Sequence, residues 1–113
     1  MNKKVIAVDI GASSGKMAFG EFDGSQLLVR EYRDFANRPV DIGTALYWDV
    51  FSLHNAIVDG MAYFKEKYGE ADAVAVDTWG ASYGLLDKKG RLMEPVYHYR
   101  DERTRTTIQD MNS

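Results

Sequence analysis

The stretch VIAVDIGASSGKMAFGEF, residues 5–22, decides the fold. Residues 5–10 are nearly all apolar, which is typical of a strand buried on both faces at the centre of a sheet. A turn of small residues follows, and residues 16–22 have the pattern of a second strand. The tight-turn signal Asp23-Gly24 precedes a third strand pattern over residues 27–35. We therefore expect three antiparallel strands at the start of the chain.

A helix and a fourth strand are predicted next. Apolar side chains recur at three- and four-residue steps, as on one face of a helix, at Leu53, Ile57, Met61, Phe64 and Tyr68. Asp49 or Ser52 is available as the amino-terminal cap, and Gly69 as the stop. Residues 73–76 form a second apolar run, which predicts a buried strand parallel to the first because a helix connects the two. The fold class is thus α/β with a mixed sheet.

Three further segments complete the pattern. Residues 37–45 are predicted to form a loop. Residues 83–86 and 91–96 flank Asp87-Lys88-Lys89-Gly90, which predicts a short hairpin. A polar, helix-like pattern begins at residue 102 and is not followed by a capping glycine or a closing strand.

Composition limits the classes of function. The 113 residues, 45% of them hydrophobic, are enough for one globular domain. The formal net charge of -3 offers no broad attraction for nucleic acid. The absence of cysteine excludes disulfides and thiolate zinc sites, so a metal would be a hard ion held by oxygen. No apolar run near the start is long enough for a signal peptide or a membrane span, and we expect a cytoplasmic protein without membrane partners.

The turn at residues 11–15 is the first candidate site. Its successive backbone N–H groups can form a concave site for phosphate, and Asp9 would supply a hard oxygen beside it for magnesium. A P-loop is excluded, because only three residues separate the two glycines and no serine or threonine follows Lys16. The alternative is an ordinary glycine-containing hairpin turn with an exposed aspartate.

Two later stretches are also candidates. Asp77-Thr78-Trp79-Gly80 follows a predicted parallel strand, where open α/β sheets bind ligands, and combines a carboxylate, a hydroxyl and an aromatic face suited to sugars. Its alternative is a core tryptophan followed by a strand-ending turn.

Near residue 100, Arg100 could donate a planar fork of hydrogen bonds and Asp101 could accept from a polyol. The alternative there is a solvated helix entrance, which we favour for residues 102–104.

In this order, these stretches resemble the start of the FGGY carbohydrate kinases, and of their rhamnulokinase-like branch in particular. The motifs that carry the resemblance are VDIGASSG at residues 8–15, WDV at 48–50, VDTWG at 76–80 and YRDERT at 99–104. The family belongs to the actin-like ATPase superfamily. The resemblance therefore implies a ribonuclease H-like fold, with residues 1–113 as the incomplete amino-terminal part of the first kinase domain.

The resemblance also implies an activity, transfer of the γ-phosphoryl group of ATP to a sugar hydroxyl with Mg²⁺ as cofactor. The implied ATP-binding residues are Ala12, Ser13, Ser14, Gly15 and Lys16. The implied metal residue is Asp9, and the implied neighbours of the sugar are Trp79, Gly80, Arg100 and Asp101. The general base is expected downstream of Ser113, so we expect this chain to be inactive by itself.

One departure bears on the substrate. Rhamnulokinases usually carry an acidic residue two places after the glycine of the Asp-Thr-Trp-Gly run, where this chain has Ser82. L-rhamnulose is the first expectation for the sugar, and a kinase for another polyol such as xylulose is an alternative. A non-catalytic binding or assembly module is the alternative from a different class. A homo-oligomer, or pairing through an open sheet edge, is compatible with each of them.

Overall fold

The computed structural model describes residues 2–80 and 82–101. The elements in this part, in chain order, are β1 (Lys3–Ile10), β2 (Ser14–Phe22), β3 (Leu27–Ala36), β4 (Val40–Asp41), β5 (Leu46–Trp48), α1 (Val50–Tyr68), β6 (Ala73–Thr78) and β7 (Val96–Tyr97). They fall into two compact units. The first contains residues 2–37 and 51–79, and the second contains residues 38–50, 80 and 82–101. The helix-like pattern predicted from residue 102 lies outside the described residues.

The first unit is built on a four-stranded sheet in the order β3-β2-β1-β6. β1 pairs antiparallel with β2, and β2 pairs antiparallel with β3. β6 runs parallel to β1, because the chain passes through α1 between the two strands. The predicted α/β class, the three antiparallel strands and the mixed sheet are therefore confirmed.

Aromatic packing joins α1 to one face of this sheet. Phe19 of β2 and Phe64 of α1 are fully buried, with their ring centroids 5.5 Å apart. Phe19 also stacks on Tyr68 at 4.5 Å between centroids. The remaining buried members of this core are Ile6, Val8 and Met17. Of the apolar stripe predicted on the helix, Ile57, Phe64 and Tyr68 pack into this core, whereas Met61 is exposed.

The opposite face of the sheet is open in the described residues. Ile6 and Val8 are buried, whereas their strand neighbours Ala7 and Asp9 are exposed. All six residues of β6 are exposed as well. Burial on both faces of β1, and burial of the run at residues 73–76, were therefore wrong predictions for this structure. The reason is that α1 covers only one face and packs over β1, β2 and β3, leaving β6 uncovered at the edge.

The ends of α1 agree with its sequence signals. The helix begins at Val50, which puts Asp49 at the cap position and Ser52 inside the first turn. Gly69 follows the last helical residue with φ of 90° and donates its N–H to the carbonyl of Lys65 at 2.9 Å. This left-handed conformation is one that glycine adopts without steric cost. Among the described residues, no helix combines the length and the apolarity needed to span a bilayer.

The second unit contains a three-stranded sheet in the order β4-β5-β7. β4 lies within the segment predicted to be a loop, residues 37–45. The predicted short hairpin forms, with Gly90 at φ of 79° in its turn and a bridge between Leu86 and Leu92. The N–H groups of Asp87 and Met93 donate across it to the carbonyls of Arg91 and Leu85 at 2.9 and 2.8 Å. The arms of the hairpin, residues 83–86 and 91–95, do not extend into strands. Leu86 and Met93 are 62% and 64% exposed, so pairing there buries little apolar surface to stabilise a strand.

Candidate functional site

The turn between β1 and β2 is closed by a hydrogen bond of its own. The N–H of Gly11 donates to the carbonyl of Ser14 at 2.9 Å. Two more carbonyl oxygens of the turn accept from one residue, Asn37. Its side-chain Nδ2 donates to the Gly11 carbonyl at 2.7 Å, and its backbone N–H donates to the Ser13 carbonyl at 3.3 Å. The carbonyl oxygens of Gly11 and Ser13 are therefore both hydrogen-bonded to Asn37.

Asn37 is a site residue that the sequence analysis missed. It lies immediately after β3 and is only 2% exposed. Its Oδ1 is buried and accepts no hydrogen bond from the described residues. Leaving a buried acceptor unsatisfied costs about 1–3 kcal/mol. The only sequence signal was an amide residue at the end of a strand pattern, which is also what a common turn contains.

Gly15 has a packing role in the turn. It is buried, and a Cβ added to it would overlap the ring of Phe35 on β3. The tip of the Phe35 ring therefore occupies the space that a side chain at position 15 would need. The other residues predicted to bind ATP, namely Ala12, Ser13, Ser14 and Lys16, are exposed.

Three charged side chains lie side by side on the open face of the sheet. Asp9 pairs in register with Lys16 of β2 and with Asp77 of β6. Alternation along the strands puts all three on the face that α1 does not cover. A cavity of about 350 Å³ on this face is lined by these residues together with Ala7, Val8, Ala18, Tyr32, Ala75 and Val76. Lys16 Nζ is 5.3 Å from the centroid of the Tyr32 ring.

The donor set on this face suits magnesium rather than zinc. The described residues contain no group of three or more histidine, cysteine, aspartate or glutamate side chains that could hold a metal. Magnesium usually keeps several waters and is bound through one or two carboxylates plus substrate phosphates. Asp9 and Asp77, on adjacent strands near the turn, provide such a pair of carboxylates. Asp77 was noted in the sequence only as part of the sugar motif.

The remainder of that motif lies at the end of β6. Thr78 Oγ1 donates to the carbonyl of Ile10 at 3.4 Å, which ties the ends of β6 and β1 together. Trp79 is half-buried and Gly80 is exposed. A Cβ added at Gly80 meets no described atom within 4 Å. Packing within the described residues therefore does not require a glycine there.

Arg100 and Asp101 lie together in the second unit. They line a polar cavity of about 240 Å³ with residues of the β4–β5 segment, namely Asp41, Gly43, Thr44, Ala45 and Leu46. Asp101 Oδ1 accepts from the N–H of Leu46 at 2.7 Å, so one carboxylate oxygen is used to hold the wall of the cavity. The Arg100 guanidinium lies 5.2 Å from the centroid of the Tyr99 ring. Both residues are exposed enough to meet a polar ligand.

Trp48 and His98 form the buried support beneath this cavity wall. Their ring centroids are 4.0 Å apart, and Trp48 Nε1 donates to Ser82 Oγ at 2.8 Å. His98 Nδ1 accepts from the N–H of Arg100 at 3.1 Å. Burial, and secondarily the charge of Arg100, lowers the pKa of His98, which favours the neutral ring. Through these contacts Trp48 and His98 hold β5 and the segment that carries Arg100 together.

Comparison with known proteins relates the chain to rhamnulokinases. It is 35% identical to the rhamnulokinase of Bacteroides thetaiotaomicron over 104 residues, which are 92% of this chain and 21% of that protein. It is 38% identical to the rhamnulokinase of Lactiplantibacillus plantarum over 112 residues, 98% of this chain and 23% of that protein. The chain spans about a fifth of the length of the curated relatives it matches. No protein-family model matches it.

Solved structures share the fold at low sequence identity. The xylulose kinase from Lactobacillus acidophilus superposes with a TM-score of 0.79 at 15% identity, covering 97% of this chain and 22% of that one. The gluconate kinase from the same organism gives 0.78 at 14% identity, covering 99% and 23%. The predicted ribonuclease H-like fold is thereby confirmed. In sequence the chain is similar to part of the rhamnulokinases, and in fold it is similar to a xylulose kinase and a gluconate kinase.

Proposed function

We propose that this chain is the amino-terminal part of an ATP-dependent sugar kinase whose substrate is a ketose, L-rhamnulose. The observation that carries the proposal is the turn at residues 11–15, which follows the Asp9 carboxylate. The carbonyls of Gly11 and Ser13 in this turn both accept hydrogen bonds from Asn37. Sequence identity to rhamnulokinases supports this choice of sugar.

The turn would bind the phosphates of ATP through its backbone amides and the hydroxyls of Ser13 and Ser14, with Lys16 adding a positive charge. Asp9 would hold Mg²⁺, and Asp77 is placed to share it. When bound, Mg²⁺ neutralises charge on the phosphates.

The residues proposed to bind the sugar are Gly80, Arg100 and Asp101 in the second unit and Trp79 in the first. In the reaction, the sugar hydroxyl oxygen bonds to the γ-phosphorus while the bond from that phosphorus to the β–γ bridging oxygen breaks. The hydroxyl proton passes to a general base, which we expect downstream of Ser113. This chain would therefore position and neutralise the nucleotide without completing the chemistry.

Two other assignments are kept as alternatives. A kinase for another polyol such as xylulose is favoured by Ser82, which stands where rhamnulokinases usually carry an acid. A non-catalytic assembly module is favoured by β6, which is an edge strand within the described residues and there presents backbone groups that a partner strand or a second copy could pair with. For either kinase we propose a cytoplasmic location.

Calorimetry with the purified 113-residue chain and Mg-ATP tests the nucleotide site, and phosphorylation assays with L-rhamnulose and D-xylulose test the chemistry. We expect weak binding and no turnover by this chain, with turnover of L-rhamnulose by the longer protein that contains it. Turnover by the 113-residue chain itself would show that it carries its own base. Preference of the longer protein for D-xylulose would transfer the assignment to that sugar.

A further inference from the structure

Asn37 contacts the turn through both its main chain and its side chain. The residue is held in place by β3, because the preceding Ala36 pairs in register with Ser14. Its two N–H donors reach the carbonyl oxygens of Gly11 and Ser13 from the same side. A single buried residue therefore fixes the orientation of two peptide groups in the turn.

The orientation of those peptides determines where their N–H groups point. A peptide group is planar and trans, so its C=O and N–H point in opposite directions. The Gly11 carbonyl belongs to the peptide that carries the Ala12 N–H, and the Ser13 carbonyl belongs to the peptide that carries the Ser14 N–H. Since both oxygens face Asn37, both N–H groups face away from it. Convergent N–H groups on one side of a turn are the donors that bind phosphate.

The choice of asparagine is not explained by stability alone. Nδ2 must be the atom that faces the Gly11 carbonyl, because an oxygen there could not donate. That orientation leaves Oδ1 buried without a donor among the described residues. An apolar side chain of similar shape would remove this unsatisfied acceptor, although it would also leave the Gly11 carbonyl without its donor. Residues that lower stability locally in this way are expected at functional sites.

We propose that Asn37 is the positioning residue of the phosphate turn: it holds the carbonyls of Gly11 and Ser13 so that the amides of Ala12 and Ser14 face the polyphosphate of the nucleotide. This inference rests on the proposed function, because it names a residue that shapes the proposed nucleotide site. Asn37 acts through the turn and does not itself touch the nucleotide.

The test compares two Asn→Leu substitutions in the 113-residue chain. Asn37→Leu removes the donor and the unsatisfied acceptor with little change of volume. Asn55→Leu is the matched control, because Asn55 is exposed on α1. Mg-ATP is titrated into each chain while the amide resonances of Ala12 and Ser14 are followed by NMR, and each chain is unfolded in urea.

We expect Asn37→Leu to weaken Mg-ATP binding about tenfold. In the free chain it should shift the amide resonance of Ala12 more than that of Ser14, because the backbone bond from residue 37 to the Ser13 carbonyl is kept. The urea midpoint of this variant should fall only slightly, because loss of the bond to the Gly11 carbonyl is partly offset by removal of the unsatisfied Oδ1, so binding should fall by more than the folded fraction does. Asn37→Asp, which keeps the size but cannot donate to the Gly11 carbonyl, should weaken binding as well. Asn55→Leu should bind as the wild type does.

Three results would overturn the inference, and they separate it from the proposed function. If the wild type binds and Asn37→Leu binds equally well, Asn37 has no positioning role and the nucleotide site stands. If affinity falls only in proportion to the folded fraction, the role of Asn37 is structural. If neither the wild type nor Asn55→Leu binds Mg-ATP, the nucleotide site on this chain fails, and the inference fails with it.

Discussion

Glu31 on β3 accepts a hydrogen bond from the hydroxyl of Tyr63 on α1 at 2.6 Å. The same carboxylate accepts from Lys67 Nζ at 2.6 Å and from the Tyr68 hydroxyl at 2.8 Å. One edge strand of the sheet is thereby joined to the last two turns of the helix that covers it. The Lys67 bond, followed by the two tyrosine bonds, lowers the pKa of Glu31 from 4.5 to about 2.

Acid should weaken the contact between β3 and α1 over a defined pH range, because it protonates Glu31. Because the pKa of Glu31 is lower in the folded chain than in the unfolded chain, its contribution to stability is fully present above about pH 4.5. It is lost as the pH falls from there towards 2. Urea midpoints of Glu31→Gln should be lower than those of the wild type at pH 7 and should converge with them at pH 2. Glu66→Gln, on an exposed helix position, is the control that should follow the wild type.

Asp9→Asn tests the metal role in the longer kinase. Asp9 is exposed on the open face, so the substitution should change the free energy of unfolding by no more than about 0.5 kcal/mol. The loss of a negatively charged ligand should reduce turnover and raise the Mg²⁺ concentration needed for half-maximal rate. Kinetics over a magnesium series measure both effects, with Asp59→Asn on α1 as the control. Wild-type turnover by Asp9→Asn would exclude the metal role.

Gly15→Ala should destabilise the chain because the new methyl group meets the Phe35 ring. Overpacking of this kind costs about 1–3 kcal/mol. Phe35→Leu removes the ring, so Gly15→Ala should lower the free energy of unfolding by less in the Phe35→Leu chain than in the wild type. A double-mutant cycle on urea midpoints measures the difference. Equal costs in the two backgrounds would show that Phe35 does not restrict this position.

Gly80→Ala should separate packing from function. The added methyl group meets no described atom within 4 Å, so the free energy of unfolding should change by less than about 1 kcal/mol. If Gly80 lines the sugar pocket, KM for the sugar should rise in the longer kinase while KM for ATP stays unchanged. An unchanged KM for the sugar would remove Gly80 from the pocket.

Ser82→Asp addresses the choice of sugar. Ser82 Oγ accepts from the Trp48 indole, and an aspartate carboxylate can accept the same bond, so the buried tryptophan keeps a partner. We expect the substitution to raise kcat/KM for L-rhamnulose relative to D-xylulose in the longer kinase. Ser82→Ala, which lacks an acceptor, is the comparison. If Ser82→Asp leaves the ranking of the two ketoses unchanged, this position does not tune the sugar.

Local patterns in the sequence predicted much of the fold. The strands β1 to β3, the helix and the parallel β6 follow from short-range periodicity and from glycine at the turns. Burial of β6 could not be predicted in this way, because Val74 and Val76 are apolar whether or not another layer covers them. Their exposure of 42% and 58% depends on where α1 packs.

The candidate site was predictable only where its residues are close in sequence. The turn at residues 11–15 was found because Asp9 and the glycines stand together. Asn37 was missed because its bond to Gly11 spans 26 residues of the chain. The adjacency of Asp9 and Asp77 likewise requires the register of β1 against β6, which single-strand patterns do not specify.

The hydrogen bonds at the two ends of β6 determine how this strand separates from β1. Both faces of the strand are exposed, yet each end is tied to β1. Asp72 donates its N–H to the Lys4 carbonyl at 2.7 Å and accepts from the Lys4 N–H at 2.8 Å, and Thr78 bonds to Ile10 at the other end. Fraying from one end is therefore opposed, and the strand separates from β1 as a single cooperative unit. The β6 amides that bond to β1 should exchange hydrogen with solvent at one common rate, faster than those of β2.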